Sequence, residues 1–324
     1  MQKRRLGKTN MYVNPVGLGC MGFSHAYGIA EDRDTAIQTM KEAHALGYDF
    51  YDTAECYTGE NADGSISYNE ELVGVAIQDF RDEVIVATKF GVEHKGDHLE
   101  LDSSPAAIRK SLEGSLKRLN VDSIDLYYQH RIDPKVEPEV VAGVMKELIT
   151  EGKIKAWGIS EVNEDYLRRA HAICPVTAIQ NRYSMIARWH ENLFDVCEEL
   201  GITYVAFSPM ANGLLTGQFS NQTKFPEGDF RNKMPQYQEE GFQKAQALLE
   251  ILKDLANKKN ATMAQISLAW MICKKDFIIP IPGSRKLSRL EENFNSGNIE
   301  LTKEEIQIID KKLKTMEFDV FGGH

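Results

Sequence analysis

The chain has 324 residues, 42% hydrophobic and 27% charged, a balance that fills a sizeable core and excludes a chain too polar to fold. A formal net charge of −10 speaks against nucleic acid and anionic membrane as partners, because both select a net basic face, while a local basic pocket stays compatible with it. Five cysteines, Cys20, Cys56, Cys174, Cys197 and Cys273, form no C-x-x-C pair, so neither a disulfide framework nor a metal site is expected.

The opening MQKRRLGKTNMYVNPVG lacks the apolar core of a secretion signal, and nowhere do 18 consecutive apolar residues occur. A soluble cytoplasmic protein is the expectation. Around Gly7, Lys8 and Thr9 short alternating stretches predict a small hairpin. The first predicted strand, 16–19, runs into VGLGCMGF, where Gly17, Gly19 and Gly22 satisfy the G-x-G-x-x-G spacing of a dinucleotide-binding turn. That fingerprint needs a helix directly after the third glycine. Here FSHAYGIAEDRD follows, and a helix starts no earlier than about residue 31, roughly two turns late. The glycines are therefore read as easing a strand and its exit loop.

Further strands are expected at 48–53, 84–90, 124–129, 154–160, 177–181, 203–208 and 277–281, alternating with amphipathic stretches. One of these, SSPAAIRKSLEGSLKRLN, opens with Ser104 as cap and Pro105 in the first turn, and aligns Ile108, Leu112, Leu116 and Leu119 on one face. The segment 211–241 is rich in Gly, Asn, Gln and Pro without clean periodicity, which predicts a flap over a site. A last helix is expected near 301–313. Eight strands and eight crossovers predict an α/β fold of one domain over 1–324: a right-handed (β/α)8 TIM barrel with a hairpin closing its bottom and an extra C-terminal helix.

Barrel chemistry sits at the C-terminal strand ends. Asp52 ends the second predicted strand, Tyr57 follows five residues later, Lys89 stands in VIVATKF and His130 in IDLYYQHR. Singly, each has a structural explanation: a helix cap, a half-buried aromatic, a rim lysine, a core histidine. Together on consecutive strands they suit acid-assisted hydride transfer to a carbonyl, whose oxygen needs a proton and hydrogen bonds as charge develops. Tyrosine has an ordinary pKa of about 10, which a neighbouring Lys89 would lower, with Asp52 holding the lysine charged and His130 orienting the carbonyl. A Schiff-base aldolase on Lys89 is the competing chemistry, and it explains Asp52 and Tyr57 less naturally.

Over nearly its whole length the sequence resembles the aldo-keto reductases. The family's Asp, Tyr, Lys and His tetrad matches Asp52, Tyr57, Lys89 and His130 in type, order and context. NEELVG at 69–74, GIS ending at Ser160, AIQNRYS with Gln180, FSPMANGLLTG at 207–217 and IPGSRKLSRLEENF add further matching blocks. The resemblance implies NADP(H) bound without a Rossmann fold. Gly19, Cys20 and Met21 would then line the nicotinamide side, Ser160 and Gln180 would take the carboxamide, and Phe207 would stack on the ring. Ser208, Pro209, Leu214, Thr216 and Gly217 would lead towards the pyrophosphate. Gly283, Ser284, Arg285 and Arg289 would meet the 2′-phosphate, with Glu292 and Asn293 near the adenine. The residues agree with the phosphate assignment, since GSRKLSRLEEN concentrates Ser284, Arg285, Lys286 and Arg289 at a helix start.

Two departures stand out: many members have tyrosine where this chain has Phe207, and asparagine where it has Glu161. Met21, Cys56 and Arg131 neighbour the reactive centre and are expected to line the substrate pocket. Arg131 either attracts an anionic or strongly polar substrate or pairs with Asp133. The expected activity is NADPH-dependent reduction of a small aldehyde or ketone. The alternative is a cofactor-sensing subunit similar to potassium-channel β subunits, against which the intact tetrad and the short N-terminus argue. Substrate choice is expected in loops 23–32, 58–68, 93–101 and 211–241 and in the tail from Glu317, and the sequence sets no oligomeric state.

Overall fold

Alternation of side chains about a pleated strand organises the structure, a computed structural model that describes residues 1–96 and 98–320. The barrel strands are β1 (Leu18–Gly19), β2 (Phe50–Asp52), β3 (Ile85–Phe90) and β4 (Ile124–Gln129), then β5 (Ile154–Ser160), β6 (Ala178–Arg182), β7 (Thr203–Phe207) and β8 (Ile278–Pro280). Each pairs in parallel with the next, with Leu18 opposite Tyr51, Tyr127 opposite Trp157 and Gln180 opposite Val205 among the registers. The ring is closed by Gly17 N–H donating to Pro280 O at 3.0 Å and Gly19 N–H to Pro282 O at 3.3 Å. At this seam only glycine fits: a Cβ on Gly19 would lie 2.6 Å from Ile281 O, and one on Gly283 would lie 2.4 Å from Gly19 O. The nucleotide-like glycine spacing thus serves barrel closure, and the helix after it begins at Arg33, capped by Asp32.

Inward positions bury Phe50, Ala87, Leu126, Tyr128, Ala156, Ala178, Val205 and Ile279 along the axis. The expected hairpin forms between Arg4–Arg5 and Tyr12–Val13 and adds Leu6 and Val13 to this inner core, while Gly7 N–H donates to Thr203 Oγ1 at 2.7 Å. It plugs the N-terminal end. Outward positions such as Tyr51, Val86, Trp157 and Tyr204 pack under the helices. Those helices are α1 (Arg33–Leu46), α2 (Asn69–Ile77), α3 (Pro105–Leu119), α4 (Pro138–Thr150), α5 (Glu164–Ile173) and α6 (Phe194–Leu200). After them come α7 (Glu239–Lys259), α8 (Met263–Lys274), α9 (Leu287–Asn295) and α10 (Lys303–Leu313). In α3, Ser104 accepts from Ala107 N–H, and Ile108, Leu112 and Leu119 are buried as the stripe requires. The expected final helix is α10, opened by a capping box of Thr302 and Glu305.

Two features differ from the sequence reading. Antiparallel ribbons at Thr58–Glu60 with Ile66–Tyr68, and at Val92–Lys95 with His98–Leu101, rise from segments read as loops, because their polar sequences carry no buried period. The expected flap holds three short 3-10 turns, at Ala211–Thr216, Phe230–Lys233 and Pro235–Tyr237, and α7 already begins at Glu239. Of the tail expected to shape substrate choice, residues 321–324 lie outside the described residues.

Candidate active site

The inward alternation that fills the axis delivers polar groups one step above it. Asp52 follows Phe50 by two, Lys89 follows Ala87, His130 follows Tyr128, and Phe207 follows Val205. Lys89 is fully buried; its Nζ donates to Asp52 Oδ1 at 2.6 Å, to Thr53 O at 2.8 Å and to Tyr57 Oη at 3.3 Å. A buried ammonium persists only with such partners. Burial pulls its pKa down, but attraction to Asp52 and Tyr57 outweighs it, and the lysine ends above its ordinary value. Asp52 is buried as well and sits above the ordinary carboxylate range, burial winning over Lys89. Its second oxygen accepts from Gln180 Nε2 at 2.7 Å.

Tyr57 is positioned by main chain and by a buried asparagine. Asn69 N–H donates to Tyr57 O at 3.0 Å, and Ser24 Oγ donates to the same carbonyl at 3.1 Å. Asn69 Nδ2 in turn donates to Ser24 Oγ at 2.8 Å and to Cys20 O at 2.9 Å, and Thr53 Oγ1 donates to Asn69 Oδ1 at 2.6 Å. NEELVG therefore supplies the hub that ties the β1 and β2 exit loops together. The Tyr57 phenol is raised above its ordinary pKa because burial exceeds the opposing pull of Lys89. This corrects the expectation that Lys89 lowers it on balance.

The His130 ring stands edge-on to Tyr57 at 5.7 Å, with Cys56 Sγ 3.4 Å from its Nδ1. Burial first, then Arg131, Lys89, His94 and His25, hold this imidazole well below the usual pKa, so it is neutral at neutral pH. Burial pushes the Cys56 thiol up to about 12, so it is no reactive thiolate. His25 lies parallel to Tyr57 at 5.9 Å and tilts against His94 at 5.0 Å. Neither histidine was singled out from sequence.

The residues expected around the cofactor are spread along β1, β5 to β8 and their exits. Gly19 lies at the seam, Cys20 is buried with its Sγ towards Leu18 O, and Met21 is half-buried in a short turn. Ser160 Oγ accepts from Arg131 at 3.2 Å, and Gln180 spends its amide N–H on Asp52. Ser208 takes a left-handed backbone, Pro209 follows, Leu214 is buried, Thr216 Oγ1 donates to Gly213 O and Gly217 caps the turn. Beyond β8 come Gly283 and Ser284, the latter accepting from Lys286 N–H at 3.1 Å. Arg285 donates to Gly22 O at 2.5 Å and Ile29 O at 2.9 Å, leaving Nη2 buried without a partner. Arg289 pairs with Glu292, and Asn293 is buried on α9, whose first turn has no acid. An orphan guanidinium N–H beside an acid-free helix start fits a phosphate group.

The flap reaches the β1 exit loop. Asn212 Nδ2 donates to Tyr27 Oη at 3.1 Å, and Arg231, paired with Asp229 at 2.6 Å, lies over the rings of Tyr27, Phe219 and Phe225. On the other side of the mouth, Arg131 donates to His130 O at 2.6 Å. The Asp133 carboxylate instead accepts from the N–H groups of Ser103 and Lys135, which removes the expected pairing. Glu161, at φ +53°, accepts from Arg182 N–H at 2.7 Å and lies 3.9 Å from His190 Nε2. Burial pushes that carboxyl up, but His190 and the Arg182 amide prevail and hold it below the usual range. Arg182 is the residue the sequence reading passed over, although it follows Gln180 by the same inward step of two. Among the described residues no His, Cys, Asp or Glu cluster could hold a metal, and no helix is long and apolar enough to cross a membrane.

Residues 15–314 match the Aldo/keto reductase family. The chain is 37% identical to aldo-keto reductase str7 of Strobilurus tenacellus, across 97% of this chain and 92% of that protein. Among solved structures it resembles the glycerol dehydrogenase AKR11B4 of Gluconobacter oxydans, with TM-score 0.87 and 27% identity, covering 97% and 95% of the two chains. The holo form of aldo-keto reductase AKR11C1 of Bacillus halodurans is similar at TM-score 0.78 and 26% identity, covering 98% of each.

Proposed function

Because this chain belongs to the aldo/keto reductase family, whose members are oxidoreductases using nicotinamide cofactors on small carbonyl compounds, we propose that it reduces an aldehyde or ketone with NADPH, and that Tyr57 is the acid. The observation that carries this reading is the buried Lys89 ammonium held between Asp52 and Tyr57 at the open end of the barrel. When bound, the cofactor supplies the hydride for the carbonyl carbon. Tyr57 Oη gives its proton to the carbonyl oxygen, and the adjacent ammonium stabilises the phenolate left behind. Asp52, held by Gln180, keeps Lys89 charged and aimed. Neutral His130 orients the carbonyl, with Met21, Cys56 and Arg131 bordering the substrate side.

For the cofactor, Gly19, Cys20, Met21, Ser160 and Phe207 would meet the nicotinamide, with Gln180 reaching it only by sharing its amide with Asp52. The segment from Ser208 to Gly217 would follow the pyrophosphate. Gly283, Ser284, Arg285 and Arg289 would hold the 2′-phosphate, with Glu292 and Asn293 near the adenine. The orphan Arg285 N–H supports NADPH over NADH, since a 2′-phosphate would satisfy it.

The test follows loss of NADPH or NADH absorbance with a panel of aldehydes, ketones, dicarbonyls and quinones, for the wild type and Tyr57→Phe. Turnover with NADPH that falls at least about a hundredfold in the variant is expected. NADPH binding with no turnover across the panel would overturn the reductase reading in favour of a cofactor-sensing protein.

A further inference from the structure

Beside the group around Tyr57, the mouth holds two guanidinium groups that form no ion pair among the described residues, although both lie in the field of Glu161. Arg182 is carried by β6 two residues beyond Gln180 and so faces the barrel axis. Its guanidinium lies 4.9 Å from the Phe207 ring centre, its Nε is buried with no hydrogen-bond partner, and among the described residues it enters no ion pair. The acid beside it, Glu161, is committed to the Arg182 backbone N–H and to His190. Among the described residues Arg131, at the exit of β4, donates only to neutral oxygens of His130 and Ser160. The two guanidiniums feel each other: burial and the field of Arg131 hold Arg182 below its usual pKa against the pull of Glu161. Arg131, Lys89, His94 and His25 also all act on His130. A protein of net charge −10 has thus placed two guanidinium groups without an ion-pair partner at one rim.

A buried charged N–H without a partner is costly, and native structures keep few of them without a reason. A ligand oxygen is a sufficient reason, because a guanidinium fork takes a carboxylate or phosphate through two parallel hydrogen bonds. The phosphates of the cofactor are assigned above to the β7 and β8 exits, so the two arginines at the β4 and β6 exits, beside the nicotinamide contacts given to Ser160 and Gln180, have no cofactor phosphate to receive. We propose that the carbonyl substrate carries an anionic oxygen group, a carboxylate or a phosphate, and that Arg182 together with Arg131 receives it. The proposal rests on the reductase reading, with Arg182 as a substrate-specificity residue beyond the reacting atoms.

Two readouts test it on the intact protein. The first is kcat/KM with NADPH for 4-carboxybenzaldehyde against 4-nitrobenzaldehyde, two electron-poor aldehydes that differ in charge. The second is calorimetric binding of benzoate and phenyl phosphate against benzamide, with NADP present. The expected result is a preference for the anion of about tenfold or more in both, shrinking at about 0.5 M salt. In Arg182→Gln the ratio of anionic to neutral ligand should fall towards one. A larger gain for phenyl phosphate than for benzoate identifies phosphate as the group, and the reverse identifies carboxylate. No anion preference in the wild type overturns the proposal, and so does an unchanged ratio in Arg182→Gln. A variant that loses NADPH affinity in the same proportion also overturns it, because Arg182 then serves the cofactor. Should Arg182→Gln fail to fold, Arg131→Gln and the salt dependence of the wild type decide by the same ratios. Turnover of 4-nitrobenzaldehyde without anion preference removes this proposal and keeps the reductase; benzoate preference without turnover of either aldehyde does the opposite.

Discussion

The two ends of the barrel are built from the same eight strands by the same alternation, and they hold opposite contents. At the N-terminal end, the hairpin drops Leu6 and Val13 against Phe50, Leu126 and Val205, and its polar links there are satisfied, among them Gly7 N–H to Thr203 Oγ1, Thr203 Oγ1 to Arg5 O and the Arg4 guanidinium to Lys275 O. At the C-terminal end, two or four residues beyond the inner-core side chains of each strand, the same face carries Asp52, Lys89, His130, Ser160 and Arg182. Several groups there wait for partners: the Nε of Arg182, the Nη2 of Arg285 and the Oδ1 of Asn212 are buried and unbonded. The closed end is optimised for packing; the open end keeps charge in low dielectric at a cost in stability, which is where proteins locate chemistry.

Lys89→Met is the sharpest way to break that contrast. It keeps the buried volume and removes the charge shared by Asp52 and Tyr57, so kcat should fall by about a thousandfold, measured by NADPH oxidation with the best carbonyl of the panel. An equal loss of kcat with a collapsed near-ultraviolet spectrum would instead mean that the ion pair holds the fold. Its counterpart at the closed end is Leu6→Ala. Leu6 is fully buried in the inner core, and its truncation should cost about 2–4 kcal/mol in denaturant unfolding while kcat stays within about twofold. A large loss of kcat there would show that the plug shapes the mouth and that the two ends are not independent.

How much of this was legible in the sequence follows the same division. β4 and β5 match their expected bounds because IDLYYQ is buried throughout and IKAWGIS everywhere but Lys155, so each run states both ends. β1, expected at 16–19, pairs only over Leu18–Gly19, and β2, expected at 48–53, only over Phe50–Asp52; Gly17 still bonds across the seam outside the ladder. The four side chains proposed to carry the reaction were readable because each ends or closely follows an apolar run. Arg182 obeys the same rule and was missed because the block AIQNRYS was read for Gln180 alone. The bonds of Arg285 to Gly22 and Ile29, and of Asn69 to Cys20, were out of reach, since each joins residues distant in sequence that only barrel closure brings together. The ribbons at 58–68 and 92–101 were illegible for a related reason. Of their strand residues only Ser67 and Val92 are buried, too few to impose a period on the sequence.

The smallest expected effect is a flat one, the dependence of kcat/KM on pH. Tyr57 must be protonated to give up a proton, and burial raises its pKa above the ordinary tyrosine value against the pull of Lys89. The fraction able to act as acid is therefore full through neutrality, and the alkaline fall in carbonyl reduction should begin only above pH about 10. His130, held well below the usual imidazole value by burial first and then by Arg131 and Lys89, stays neutral on the acid side, so no break is expected near pH about 6.5. Initial rates at saturating NADPH in constant-ionic-strength buffers measure both limbs. A break near 6.5 would mean that His130 takes up a proton when substrate binds. An alkaline break well below 10 would mean that bound substrate opens Tyr57 to the full field of Lys89. In the Lys89→Met variant the phenol loses its one strong cationic neighbour, so the residual activity should fall off at higher pH than in the wild type, and a shift downward would remove Tyr57 as the acid.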